Sequence, residues 1–161
     1  MSQSNSTSKI DQISQQELQH LITVSTGFID AYIVECHDQE DMLIPQNIVL
    51  SALDSSTAVD HVEWHDLKLP VYRVTHPEQN QGVALVIEGD EIDQRFALMC
   101  NAMPKTIRLR ISEVVDDERE GQHPAVFQYV RMGEQVFHVP NLAHIQASLG
   151  LNKTKSAFSL F

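Results

Sequence analysis

The sequence predicts an all-β domain, a barrel or sandwich bracketed by two short helices. Three observations carry that expectation. Apolar residues alternate with period two in about eight short runs. Turn residues break those runs at short intervals, and helical signatures occur only near the two ends. At 161 residues the chain suits one domain, able to bury roughly 70% of the surface that its unfolded form exposes.

Residues 1–12 are rich in Ser, Asn and Gln and read as a tail, residues 13–150 as the domain, and residues 151–161 as a second tail carrying Phe158 and Phe161. Ser14-Gln15-Gln16-Glu17 has capping-box spacing, and Leu18, Leu21 and Ile22 form a narrow apolar stripe, so a helix is expected over 14–23. The period then becomes two. Ile29, Ala31 and Ile33 alternate along a strand over 28–36, and a polar turn over 37–41 leads to a strand at Met42, Leu43 and Ile44. Further strands are expected over 59–62, 69–74, 83–88, 95–101 and 106–112. The polar stretch 116–124 reads as a loop. Strands over 127–132 and 135–139 flank Gly133-Glu134 as a hairpin. Asn141 caps a closing helix over 142–149, with Gly150 as its stop.

Two local features stand apart. Trp64, the single tryptophan, opens a run through Leu67, Leu69, Val71 and Tyr72 that contains Pro70. Proline donates no ladder hydrogen bond, so this run reads as a strand that begins at a bend or lies at a barrel edge. The second feature is an echo. Leu43-Ile44-Pro45-Gln46-Asn47-Ile48 and His138-Val139-Pro140-Asn141-Leu142 both run strand, proline, amide, then apolar helical turn, which suits a fold of two similar half-barrels.

Composition narrows the function. With 22 acidic against 11 basic residues the net charge is −11. A phosphate backbone or an anionic membrane surface demands a basic face, so neither is an expected partner. No apolar run approaches the ~20 residues of a membrane span, and the polar start lacks a signal-peptide core, so a cytoplasmic location is expected. A reducing compartment would keep Cys36 and Cys100 as thiols.

Chemistry-bearing constellations are sparse. His61 and His65 are four apart, but on a strand that places them ~13 Å from each other, too far to share an ion. Cys36 lies among Glu35, Asp38, Glu40 and Asp41, which oppose a thiolate, and Cys100 sits in an apolar run. No glycine spacing fits a phosphate loop, and the Asp116-Asp117 pair falls in a solvated loop. Neither a cofactor nor a catalytic residue is expected. Trp64 among Glu63, His65 and Asp66 is the type of aromatic that anchors protein contacts. Lys105, Arg108 and Arg110 read as a basic row on one strand face, suited to an acidic partner or to solvent.

Four segments in order resemble the CheW-like chemotaxis adaptor family, and within it the ChpC type of type IV pilus twitching motility. Met42 through Val49 resembles its apolar-Pro-amide corner. Trp64 through Val74 resembles its Trp-Arg-Gly-x3-Pro-Val strand. Phe96 through Pro104 resembles an apolar-x-Gly-Ile-Pro strand, and Phe127 through Leu149 the closing strand, corner and helix. The resemblance departs where the family has Arg-Gly and this chain has His65-Asp66, and where the arginine's usual glutamate partner aligns with Ser51.

The resemblance implies two SH3-like five-stranded β-barrels sharing a core, with no catalysis and no cofactor. It implies an adaptor that couples a methyl-accepting chemoreceptor to a CheA-type histidine kinase. It points to Ile48, Val49, Glu63, Trp64, His65 and Asp66 as the partner interface. A β-barrel module that binds a peptide or ligand outside chemotaxis is the other reading that these residues allow.

Overall fold

The computed structural model describes residues 27–119 and 123–151. The expected helix over 14–23, the tail over 1–12 and Phe158 and Phe161 lie outside the described residues. Eleven strands and one α-helix are described: β1 (Phe28–Val34), β2 (Asp41–Pro45), β3 (Val49–Ser56), β4 (His61–Trp64), β5 (Leu67–Arg73), β6 (Gln81–Ile87), β7 (Phe96–Cys100), β8 (Lys105–Arg110), β9 (Val115–Asp116), β10 (Val126–Met132), β11 (Gln135–Pro140) and α1 (Leu142–Ser148). They form a six-stranded sheet in the order β8-β1-β2-β11-β10-β9 and a five-stranded sheet in the order β3-β6-β7-β5-β4. The all-β, two-subdomain architecture is the expected one, with one more strand in the first sheet than five.

Burial explains why each sheet curls. In the five-stranded sheet Val62, Leu69, Val71, Ala84, Val86, Ala97 and Met99 share one cluster, and Leu50 and Leu53 of β3 pack on it together with Trp64 of β4. β3 and β4 are the two ends of the strand order, so a common cluster requires the sheet to bend round it. The six-stranded sheet does the same about Ala31, Leu43, Leu109, Val130 and Phe137. A third cluster joins the sheets. Val34, Cys36, Met42 and Ile44 from the first meet Leu85, Ile87, Phe96, Leu98 and Cys100 from the second, and Ile145 of α1 closes it.

β6 and β7 therefore bury both faces. Leu85, Ile87, Phe96, Leu98 and Cys100 point to the shared core, and Ala84, Val86, Ala97 and Met99 to the inner one. This is why Phe96-Ala97-Leu98-Met99-Cys100 is a continuous apolar run, every residue of it buried. Gly82 opens β6 where a side chain has no room: a Cβ there would strike the carbonyl oxygen of Cys100.

Several expectations need correction. Residues 63–74 are not one strand; His65 and Asp66 turn the chain between β4 and β5. The helical turn expected after Pro45 is a single 3-10 turn (Gln46–Ile48), and the chain then enters β3, a strand the sequence pattern did not signal. The polar loop expected from residue 116 is entered through the short β9. The two copies of the proline echo do not belong to separate half-barrels. β2 and β11 are parallel neighbours in one sheet, Phe137 opposite Asp41 and His138 opposite Met42.

His138 is the buried histidine of that pair, 1% exposed. Its Nδ1 lies 2.8 Å from the carbonyl oxygen of Glu40, which only accepts, so Nδ1 carries the proton and donates. Nε2 is buried without a partner among the described residues. A proton added there would create an unpaired N–H on a charged ring, and burial accordingly holds the imidazole below its ordinary value of 6.5.

Two outcomes follow from this packing. Because the folded state resists protonation of His138, the stability it confers is complete above about pH 6.5 and is lost as the pH falls through the lower folded value. Urea midpoints should drop from about pH 7 to about pH 5.5, and His138→Gln, which keeps a donor without titrating, should flatten that slope. Gly82→Ala should cost roughly 2–4 kcal/mol in denaturant unfolding, since backbone rather than a yielding side chain meets the new methyl.

Candidate partner-docking surface

The tip of the β4–β5 hairpin is built by a strained pair. Trp64 opposes Leu67, Glu63 opposes Lys68, Val62 opposes Leu69 and His61 opposes Pro70. Two residues, His65 and Asp66, remain as the loop, with φ of 50° and 65°. A type I′ turn requires positive φ at both central positions and is normally filled by Asn-Gly or Asp-Gly. Asp66 occupies the position at which the resemblance expects a glycine. Pro70 is tolerated within β5 because pairing with β7 starts only at Val71, opposite Ala97.

Alternation along β4 turns Val62 and Trp64 inward and His61 and Glu63 outward. Trp64 is half-buried, resting on the inner core of the five-stranded sheet. The His65 ring stacks on it at 4.1 Å between centroids and 22° between planes. The Arg95 guanidinium also lies 5.6 Å from the Trp64 ring. Arg95 Nε donates to Glu88 Oε1 at 2.7 Å. That bond, with the positive charge behind it, holds the Glu88 carboxyl below its ordinary range. The backbone N–H of Glu88 in turn donates to the carbonyl oxygen of Ile48 at 2.8 Å, and Val49 lies opposite Ile87.

One end of the five-stranded sheet thus gathers all six residues expected at the interface. Ile48 ends the 3-10 turn and Val49 begins β3, both half-buried against the shared core, and Glu63, Trp64, His65 and Asp66 come from the hairpin tip. Glu88 and Arg95, which tie the two groups together, were missed by sequence reasoning. They flank the β6–β7 connection seven positions apart, and no motif marks the pair. The resemblance expects an Arg–Glu ion pair at His65 and Ser51; an ion pair is present at this end, made by Glu88 and Arg95 instead. The same connection exposes Ile92 (59%), and Asp90, Glu91 and Asp93 around it are exposed as well. The surface is an aromatic and aliphatic patch with an acidic rim.

Other candidates resolve differently. His65 is in a turn and not on a strand, so the four-residue spacing from His61 does not measure their separation. Lys105 does not share a face with Arg108 and Arg110. It follows Ile107 and Leu109, and at the strand end it lines a cleft of about 180 Å³ with Glu35, Asp41 and Asn101. Both thiols are pushed up to about 12, mainly by burial, with Asp41 adding to the effect at Cys36. Neither supplies a thiolate near neutral pH. Among the described residues no helix is long and apolar enough to cross a membrane.

No family model matches the chain, and no curated protein matches it in sequence. Among solved structures it is similar to the scaffolding protein TtCheW from Thermoanaerobacter tengcongensis, with a TM-score of 0.53 and 10% identity, over 71% of this chain and 84% of that one. At that identity the likeness is one of fold, and the fold is CheW-like.

The strained tip makes its own prediction. Asp66→Gly should raise unfolding stability by about 0.5–1 kcal/mol, because glycine adopts the left-handed conformation without a Cβ penalty. A chemical-denaturation curve shifted to lower midpoint would contradict the turn assignment.

Proposed function

We propose that this protein is a non-catalytic adaptor that seats a methyl-accepting chemoreceptor and a CheA-type histidine kinase against one another, in the signalling system of type IV pilus twitching motility. The carrying observation is the end of the five-stranded sheet, where the His65 ring stacks on Trp64 and the Arg95 guanidinium lies 5.6 Å from the same ring. Half-buried aromatics stiffened by a guanidinium are favoured anchors of protein interfaces. The fold likeness to a protein described as a scaffold supports the reading, as do two cysteines held in the thiol form. Signalling by such a protein is geometric: it fixes how larger partners sit, and small shifts in that arrangement change kinase output.

The test is co-purification of the tagged chain from its native cells, read by mass spectrometry. A CheA-type kinase, a methyl-accepting receptor and pilus-system components should be recovered. Glu63→Lys with Asp90→Lys, both exposed, should reduce that recovery roughly tenfold with little change in melting temperature. Trp64→Ala should also lose capture, and should cost about 1–3 kcal/mol of stability because the ring is half-buried. Recovery of neither kinase nor receptor by the unaltered chain would defeat the proposal.

A further inference from the structure

In the other sheet, the six-stranded one, the strand order terminates in β8, which among the described residues pairs only with β1. Its register sets Arg110 opposite Phe28, Arg108 opposite Asp30 and Thr106 opposite Tyr32. The N–H of Ile111 donates to the carbonyl oxygen of Gly27 at 3.2 Å. That bond fixes the phase of the ladder: Leu109, Ile107 and Lys105 direct their backbone groups to β1, and Thr106, Arg108 and Arg110 direct theirs outward.

The side chains on the outer face are unusual for this chain. Both guanidiniums lie over the Phe28 ring, Arg108 at 5.7 Å and Arg110 at 5.0 Å, and Phe28 is 39% exposed. Arg108 Nε also donates to Asp30 Oδ1 at 3.0 Å, an exposed pair that competing carboxylates displace readily. A net charge of −11 makes two adjacent arginines on an open edge a local inversion of the surface.

We propose that the open edge of β8 is a strand-addition site for an acidic, extended segment of a partner protein. Backbone groups of Thr106, Arg108 and Arg110 supply the ladder, and alternate carboxylates of the incoming strand lie against Arg108 and Arg110. Charge selects the occupant. A second copy of β8 would set arginines beside arginines, which disfavours self-pairing. The proposal is independent of the adaptor reading, since it uses the other sheet.

The test uses the full chain labelled with ¹⁵N and an acetylated, amidated Val-Glu-Val-Glu-Val-Glu-Val peptide. Saturable binding should slow amide exchange at Thr106, Arg108 and Arg110. The peptide with Lys in place of Glu should bind at least ~10-fold more weakly. Arg108→Glu with Arg110→Glu should weaken the acidic peptide by roughly tenfold or more. Thr106→Pro keeps both arginines and removes an outward N–H; it too should weaken binding, with circular dichroism confirming that each variant is folded. Should the double variant fail to fold, Thr106→Pro and the Lys peptide still decide. Absence of saturable binding, equal binding of both peptides, protection elsewhere, or a wild-type dimer joined through β8 would each overturn the proposal.

Discussion

Everything in this structure depends on a middle layer that is dry on both sides. β6 and β7 supply side chains to the inner core of their own sheet and, from alternate positions, to the core shared with β1, β2 and α1. Such strands cannot shift register by one residue, because every side chain would exchange one core for the other. The layer thereby fixes where the two sheets sit. Cys36 and Cys100 lie in the shared core as small apolar groups, and that burial accounts for their raised pKa.

The candidate docking surface inherits its rigidity from that layer. Ile87 ends β6 in the shared core, and Glu88, the next residue, leaves it to hold Ile48 through its backbone and Arg95 through its carboxylate. Arg95 precedes Phe96, where β7 begins. The cation over Trp64 is therefore set by strand ends that cannot move independently of the core. A surface aromatic on an edge strand would otherwise have rotameric freedom; here both the His65 ring and the Arg95 guanidinium lie against it.

Legibility in the sequence followed burial. β1, β6, β7, β10 and β11 were visible because each places apolar residues on at least one protected face at period two, or on both. β3 was not, since Val49-Leu50-Ser51-Ala52-Leu53-Asp54-Ser55-Ser56 mixes polar and apolar residues and carries a bulge between Val49 and Ser51 that breaks the alternation. The β4–β5 turn was hidden because His65-Asp66 lacks the usual turn glycine, so the apolar residues on either side merged into one apparent strand. The residues expected at the interface were picked out through Trp64 and a family resemblance. Glu88 and Arg95 were not, because an ion pair across a connection has no period and no motif.

The two surfaces differ in sign as well as in the sheet that carries them. At the tryptophan end the exposed rim is acidic, with Glu63 and Asp66 on the hairpin and Asp90, Glu91 and Asp93 on the neighbouring connection. At the β8 edge the outer face is led by Arg108 and Arg110 over Phe28. A molecule with one uniform charge would meet any complementary partner in many orientations. Opposite local signs on the two sheets, joined by a core that does not yield, mean that a charged group suited to one surface meets like charge at the other.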